Sequence, residues 1–122
     1  MFNSSLNNAL TRANSDLIAG YAMPSDTYDD LTLGASGSNY TAPANGWFTL
    51  DKTTTQAQYV ALINTNNNVK TESRATNNGQ TLRVFLPVKK NDVVECYYSA
   101  AGTLNCFRFV YAVGSESEAQ NV

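Results

Sequence analysis

The chemistry open to this chain is limited first by a missing residue, since none of its 122 residues is histidine. That removes the commonest general base, the commonest metal ligand and every Ser-His or Cys-His nucleophile pair. Cys96 and Cys106 are the only cysteines, and two thiolates without histidine do not close a structural zinc site. Neither GxGxxG nor GxxxxGK[ST] occurs, so no phosphate-cradling loop is signalled. Asp26, Asp29 and Asp30 supply hard oxygen ligands of the kind calcium takes. They lack the D-x-[DN]-x-[DN]-G spacing, which makes a solvated acidic turn the expectation and a metal site not expected. Asp51, Glu72, Asp92 and Glu95 are the carboxylates from which a glycosidase would draw its pair, set about 5–9 Å apart across a sugar. Nothing in their spacing singles out two of them, so no catalytic residue is assigned, and neither enzymatic activity nor a cofactor is expected.

Binding chemistry is better represented. Aromatic rings stack on sugar faces and asparagine amides supply paired donors and acceptors. Tyr28, Tyr40, Trp47, Tyr59, Tyr97 and Tyr98 are the candidate rings, with Trp47 expected in the core at the start of a strand. Asn64 to Gln80 holds six asparagines and only one aliphatic residue larger than alanine, Val69. Within it, Asn66, Asn67, Asn68, Asn77 and Asn78 surround Arg74, which is suited to a phosphate or acidic sugar. These six residues with Tyr97 form the candidate binding surface, expected at one end of the domain. The alternative is a merely solvated loop.

Short strands must position these groups. Pro24 suits an edge strand or a turn, Asp26 to Asp30 reads as a turn, and Leu31 to Leu33 as a short strand ending at Gly34. Ala35 to Asn39 reads as a loop, and Asn45-Gly46 as a tight turn into a strand. From Gln56 to Asn64, alternation puts Ala57, Tyr59, Ala61 and Ile63 on one face against Gln56, Gln58 and Asn64 on the other. A further strand can lie near Val69 to Ser73, because a 17-residue loop is uncommon in a compact domain. Thr81 to Leu86 points Leu82, Val84 and Leu86 one way, with Pro87 ending the ladder and Lys89 to Asp92 turning the chain. Val93 to Ser99 and Thr103 to Val113 read as a hairpin closed by Ala100-Ala101-Gly102, with Gly102 left-handed. That register sets Cys96 opposite Cys106, where they can form a cross-strand disulfide or remain two reduced thiols. Both faces of such a hairpin are apolar, so one should pack in a sandwich and the other against another copy of the chain.

Strands about ten residues apart with Gly, Pro and Asn turns predict an all-β antiparallel sandwich or jelly roll; periodicity does not choose its wiring. The composition agrees. Charged residues make up 15% of the chain, below the usual quarter, so surface polarity rests on Asn, Thr, Ser and Gln. A net charge of −2 leaves no basic footprint for nucleic acid or anionic lipid, and no apolar run approaches a membrane span. The organisation expected is a stalk end or linker over 1–20, a sandwich head over 21–114 and a flexible tail over 115–122. Phe2, Leu6, Ala9 and Ala13 carry a 4-3-4 coiled-coil spacing, but fewer than two heptads do not hold a helix alone. The N-terminus lacks the basic and apolar regions of a signal peptide, so a protein working outside a cell would leave it by another route, such as lysis or assembly into a particle.

Two stretches, Asp16-Leu-Ile-Ala-Gly-Tyr-Ala-Met-Pro-Ser25 and Tyr40-Thr-Ala-Pro-Ala-Asn-Gly-Trp47, resemble the C-terminal receptor-binding heads of phage and prophage tail-fibre proteins. In that family a Met-Pro step at the stalk end precedes a Tyr-Thr-Ala-Pro-x-x-Gly-aromatic segment. Leu82 to Val94 and Phe107 to Tyr111 are similar to the ending of those heads and to the tumour-necrosis-factor-like jelly roll. The resemblance spans residues 16 to 113 and leaves 64–80 unmatched. It implies a non-enzymatic homotrimer at the fibre tip of a virion, attaching to a bacterial surface glycan or outer-surface protein. A trimerisation cap or capsid decoration module with no receptor is the alternative, and a secreted carbohydrate-binding module, which the absent signal peptide disfavours, is the third.

Overall fold

The computed structural model describes residues 23–116, so the expected stalk segment and most of the polar tail lie outside the described residues. Eight strands follow in order: β1 (Pro24–Asp30), β2 (Ser38–Thr41), β3 (Gly46–Thr53), β4 (Gln58–Asn64), β5 (Lys70–Ala75), β6 (Thr81–Val88), β7 (Val93–Tyr98) and β8 (Thr103–Ala112). They form two antiparallel four-stranded sheets, ordered β1-β8-β3-β6 and β2-β7-β4-β5. Successive strands alternate between the two sheets except β4 and β5, which pair in one sheet; this is jelly-roll wiring, and it settles the choice that periodicity left open.

Alternation builds the core. Phe48 and Leu50 of β3, Leu82, Val84 and Leu86 of β6, and Phe107, Phe109 and Tyr111 of β8 point inward from one sheet. Val60 and Leu62 of β4 with Val94 and Cys96 of β7 meet them from the other. Aromatic edges interlock at the centre, with Phe109 lying T-shaped to both Phe48 (5.1 Å) and Tyr111 (5.0 Å).

Several expectations are corrected. Asp26 to Asp30 is not a turn but the second half of β1, an edge strand that begins at Pro24, whereas Leu31 to Leu33 is irregular and carries no strand. The inward face of β4 is Gln58, Val60, Leu62 and Asn64, so Tyr59 and Ile63 lie outside. Polar residues cap the two ends of that inward face and conceal its apolar middle. Pro87 does not end β6, which runs on to Val88; β6 is the edge of its sheet, where a missing N–H breaks no ladder.

The largest correction concerns β7 and β8. They form no hairpin, because β7 pairs with β2 and β4 while β8 pairs with β1 and β3. The Ser99–Gly102 connection is an arch between the sheets, with Gly102 left-handed (φ 95°) as expected. Cys96 is therefore opposite Ser38 and Leu62, Cys106 is opposite Asp51, and both are free thiols. Both strands send an apolar face into one shared core, and that accounts for most of the doubled apolarity that had suggested a second copy.

Candidate functional site

β1 and β2 are edge strands of opposite sheets. Between them lies an open cleft of about 550 Å³, lined by Asp29, Asp30, Leu31, Asn39, Tyr40, Thr41, Pro43, Phe48 and Phe109. Strand alternation decides how each residue faces it. In β2, Tyr40 turns toward the core, edge-on to Phe107 at 4.9 Å, while Asn39 and Thr41 stay exposed on the rim. In β1, Asp29 turns inward and accepts a 2.5 Å hydrogen bond from Tyr111 Oη, while Asp30 turns outward and accepts one from Arg108 Nε at 2.8 Å. That bond and the carboxylate's charge raise the Arg108 pKa, despite a smaller opposing effect of burial.

The loop joining β1 to β2 is fixed by two tyrosines. The Gly34 N–H donates to Tyr40 Oη, and Tyr98 Oη donates to the Gly34 carbonyl, each at 2.6 Å. A side chain at Gly34 would bring its Cβ to 2.8 Å from Ser38 Oγ and 3.1 Å from Tyr40 Oη, so any larger residue must displace these hydroxyls. The cleft is thus a preformed concavity with an apolar floor and a rim of amide, hydroxyl and carboxylate groups, the composition of a small-ligand site. Tyr40 belonged to the candidate rings. Asp29 and Asp30 entered only as members of an acidic turn, and Asn39 and Thr41 carried no signal, because the cleft joins edge strands that are not paired with each other.

The candidate receptor residues are dispersed. Asn66, Asn67 and Asn68 occupy the β4–β5 turn, at the end of the sandwich where Pro24 and Val93 begin their strands. Their amides build that turn. Asn66 Oδ1 accepts from Val93 N at 3.0 Å, Asn67 Oδ1 accepts from Val69 N at 2.9 Å, and Asn68 adopts φ 62°, a conformation asparagine tolerates. Buried Asn64 adds a bond to the Asp92 carboxylate at 2.9 Å. Asn77 and Asn78 lie in the β5–β6 turn at the opposite end, where the Asn77 carbonyl accepts from Thr54 Oγ1 at 2.7 Å. Arg74 is not in a loop but in β5, on the outer face of its sheet, paired with Glu72 at 2.9 Å and lying over the Tyr59 ring at 5.5 Å. Tyr97 shares that outer face, donating to Glu95, and this bond raises the tyrosine pKa. The structure therefore brings Arg74 and Tyr97 to one face and leaves the two asparagine turns at opposite ends of the sandwich.

The acidic candidates do not converge either. Asp51 is paired with Arg83 at 3.1 Å, Asp92 accepts from Lys89 N and Asn64, and Glu72 and Glu95 are held as above. Among the described residues, no group of three metal-ligating side chains assembles.

Two buried groups sit beneath the arch. Lys52 is 4% exposed; its Nζ donates to the Ser99 carbonyl at 2.8 Å and the Ala101 carbonyl at 3.2 Å and lies 4.6 Å from the centre of the Tyr98 ring. Burial lowers its pKa. Burial also pushes the Cys96 thiol up to about 11, the nearby Lys52 opposing this only in part.

Trp47 is outside the core. β3 turns Phe48 and Leu50 inward and leaves Trp47, Thr49 and Asp51 on the outer face, half-buried. There Trp47 shares a shallow depression of about 400 Å³ with Pro24, Thr49, Phe85 and Val110, and Phe85 is 66% exposed.

No protein-family model and no curated protein matches the chain. Among solved structures, it has weak similarity to the CBM35 domain of Cellvibrio japonicus Abf62, at 13% identity and TM-score 0.40, over 74% of this chain and 81% of that one. A second is an Xyl-CBM35 in complex with a glucuronic acid-containing disaccharide, at 15% identity and TM-score 0.37, over the same shares of the two chains.

Proposed function

We propose that this chain is a non-catalytic binding head that takes a sugar unit of a bacterial surface glycan in the β1–β2 cleft. We place it, as its resemblance to tail-fibre heads implies, as a homotrimer at the fibre tip of a virion, where an outer-surface protein is the other possible receptor. The observation that carries the reading is the cleft itself, with about 550 Å³ of preformed space, Leu31, Phe48 and Phe109 below, and Asn39, Thr41 and Asp30 at the rim. A pyranose presents apolar C–H faces and a girdle of hydroxyls, and this lining offers a counterpart to each. No carboxylate pair is singled out for catalysis: Asp51, Glu72, Asp92 and Glu95 are each held by neighbours, Asp30 by Arg108, and Asp29 accepts from Tyr111 Oη. Single-site affinity of such a neutral contact is weak, and three linked copies raise the effective affinity by about 10²–10⁴-fold.

The test is adsorption of the labelled full chain to host cells, with titration of isolated surface glycans. Asn39→Ala and Thr41→Val each remove one rim hydrogen-bonding group and should weaken binding roughly two- to tenfold without changing the melting temperature. Unchanged adsorption by the double variant would place the receptor site elsewhere. No adsorption by the parent would favour the receptor-free cap.

A further inference from the structure

Jelly-roll pairing sorts the outer face of the β1-β8-β3-β6 sheet into rows. One row runs Tyr28, Val110, Trp47, Pro87; the next runs Asp30, Arg108, Thr49, Phe85; a third holds Cys106, Asp51 and Arg83. The fold does not need Phe85 there, because Leu82, Val84, Leu86 and Val88 already fill the inward face of β6. Yet its ring stands 66% exposed beside the depression formed with Pro24, Trp47, Thr49 and Val110. An apolar knob next to an apolar hollow is what a protein contact uses, and a contiguous patch of this kind is unusual on a solitary domain.

We infer that this face is the contact surface between copies of the chain, with Phe85 of one copy seated in the depression of another. The inference rests on the oligomeric part of the proposed function. The charge pattern selects a copy over other occupants. Around the patch the charges are paired within the chain, Asp30 with Arg108 and Asp51 with Arg83, and exposed Asp26 of β1 adds one further acid, so a copy meets the patch with little net repulsion. A nucleic acid or anionic surface finds no net positive charge here. A sugar finds the Trp47 and Phe85 rings to stack on but only the Thr49 hydroxyl and the Trp47 indole N–H to bond among the side chains lining the depression, too few for its girdle of hydroxyls. Pro87 on the edge strand β6 interrupts its outer row of N–H donors, which disfavours continuing the sheet edge to edge and leaves the face, turned toward a shared symmetry axis, as the contact. Four strands about 4.8 Å apart, each with about eight residues rising 3.3 Å, give a plan area on the order of 500 Å². With side-chain relief, that approaches the roughly 800 Å² per partner of a standard interface.

Sedimentation equilibrium of the full chain tests this, because the chain should sediment at a multiple of 13.2 kDa at micromolar concentration. Phe85→Asp should weaken self-association by about thirtyfold or more. Its melting temperature, extrapolated to the monomer, and its per-site glycan affinity should be unchanged. Phe85→Thr, a milder change that keeps strand propensity, should weaken association in the same direction and covers the case in which the aspartate variant misfolds. Cys106 is on the same face and Cys96 is fully buried, so thiol labelling reports on the face alone. Labelling of Cys106 should slow as parent concentration rises and should not in Phe85→Asp. A parent that stays at 13.2 kDa, or variants that assemble as the parent does, would overturn the inference. A monomeric parent that still binds glycan would leave the cleft standing, and an assembled parent that binds none would leave only the interface.

Discussion

The β1–β2 cleft and the outer face of the β1-β8-β3-β6 sheet both use β1 and β8, yet the chain supplies them with opposite chemistry. In the cleft, polar and aromatic groups alternate around a concavity: Asp29, Asp30, Asn39 and Thr41 stand among Tyr40, Phe48 and Phe109. On the face, cross-strand pairing collects one apolar row, Tyr28, Val110, Trp47 and Pro87, beside a row that holds an ion pair at one end and Phe85 at the other. The difference follows from edges. Where two sheets part, inward-facing side chains of the edge strands reach water, and residues with both polar and apolar parts suit them. A flat sheet face has no such gradient, so its contact strip can be dry and its charges pair within the chain. A mixed concavity suits a small polar ligand, and a dry strip with balanced charge suits a protein surface.

The comparison breaks most completely at Phe109. Its ring is fully buried between Phe48 and Tyr111 and lines the cleft, while its neighbours Arg108 and Val110 carry the outer face. Phe109→Ala should cost about 3–5 kcal/mol in denaturant unfolding and remove both glycan binding and self-association together. A loss of less than about 1 kcal/mol, or the survival of one property without the other, would mean that the two regions do not share a core as described.

A smaller effect separates the two thiols. Cys96 is raised from 9.0 to about 11 in the folded chain, so between those values the folded state holds a proton that the unfolded state has lost. Its contribution is intact below pH 9 and lost as pH rises toward 11, about 2–3 kcal/mol in all. Lys52, lowered by burial, acts in the opposite sense and offsets part of the fall. Urea unfolding under reducing conditions should therefore show a decline from pH 8 to 11 that is reduced in Cys96→Ala, Cys106 and Tyr97, both also raised, supplying the remainder. An identical decline in that variant would place the titrating group elsewhere.

Much of the fold was legible because it is local. The alternation of Leu82, Val84 and Leu86, the left-handed Gly102 and the turn at Lys89–Asp92 all depend on near neighbours, and the structure keeps each of them. What failed was partner choice. A three-residue connection ending in glycine serves a hairpin and an inter-sheet arch alike, and only the two-sheet core decides that β7 and β8 separate. β1 was concealed because its inward positions are Ser25, Thr27 and Asp29, held by bonds such as Ser25 Oγ to the Tyr111 carbonyl at 2.7 Å rather than by apolar burial. The cleft was illegible for a related reason. Asp29, Asn39 and Phe109 come from three strands, and no local pattern marks an edge where sheets part.

The smallest expected effects decide whether the asparagine-rich segment adds a third region to the comparison. Its dense amides suggested recognition, but Asn66 and Asn67 accept backbone N–H groups, and these bonds shape a turn whether or not a ligand is present. Asn66→Ala deprives Val93 N–H of its acceptor, and the partly exposed site lets water replace some of that bond. The expected cost is about 0.5–1.5 kcal/mol of stability with no change in cell adsorption. Arg74→Ala should cost less, about 0.5 kcal/mol or below, because its partner Glu72 and the guanidinium both stand in solvent, where an ion pair gains little. A receptor role gives the reverse pattern, with Asn66→Ala neutral for stability and either substitution sharply reducing adsorption. Thermal melts paired with adsorption assays on the two single variants distinguish these outcomes. Only the reverse pattern would move recognition from the cleft to the turn at the end where Pro24 begins its strand.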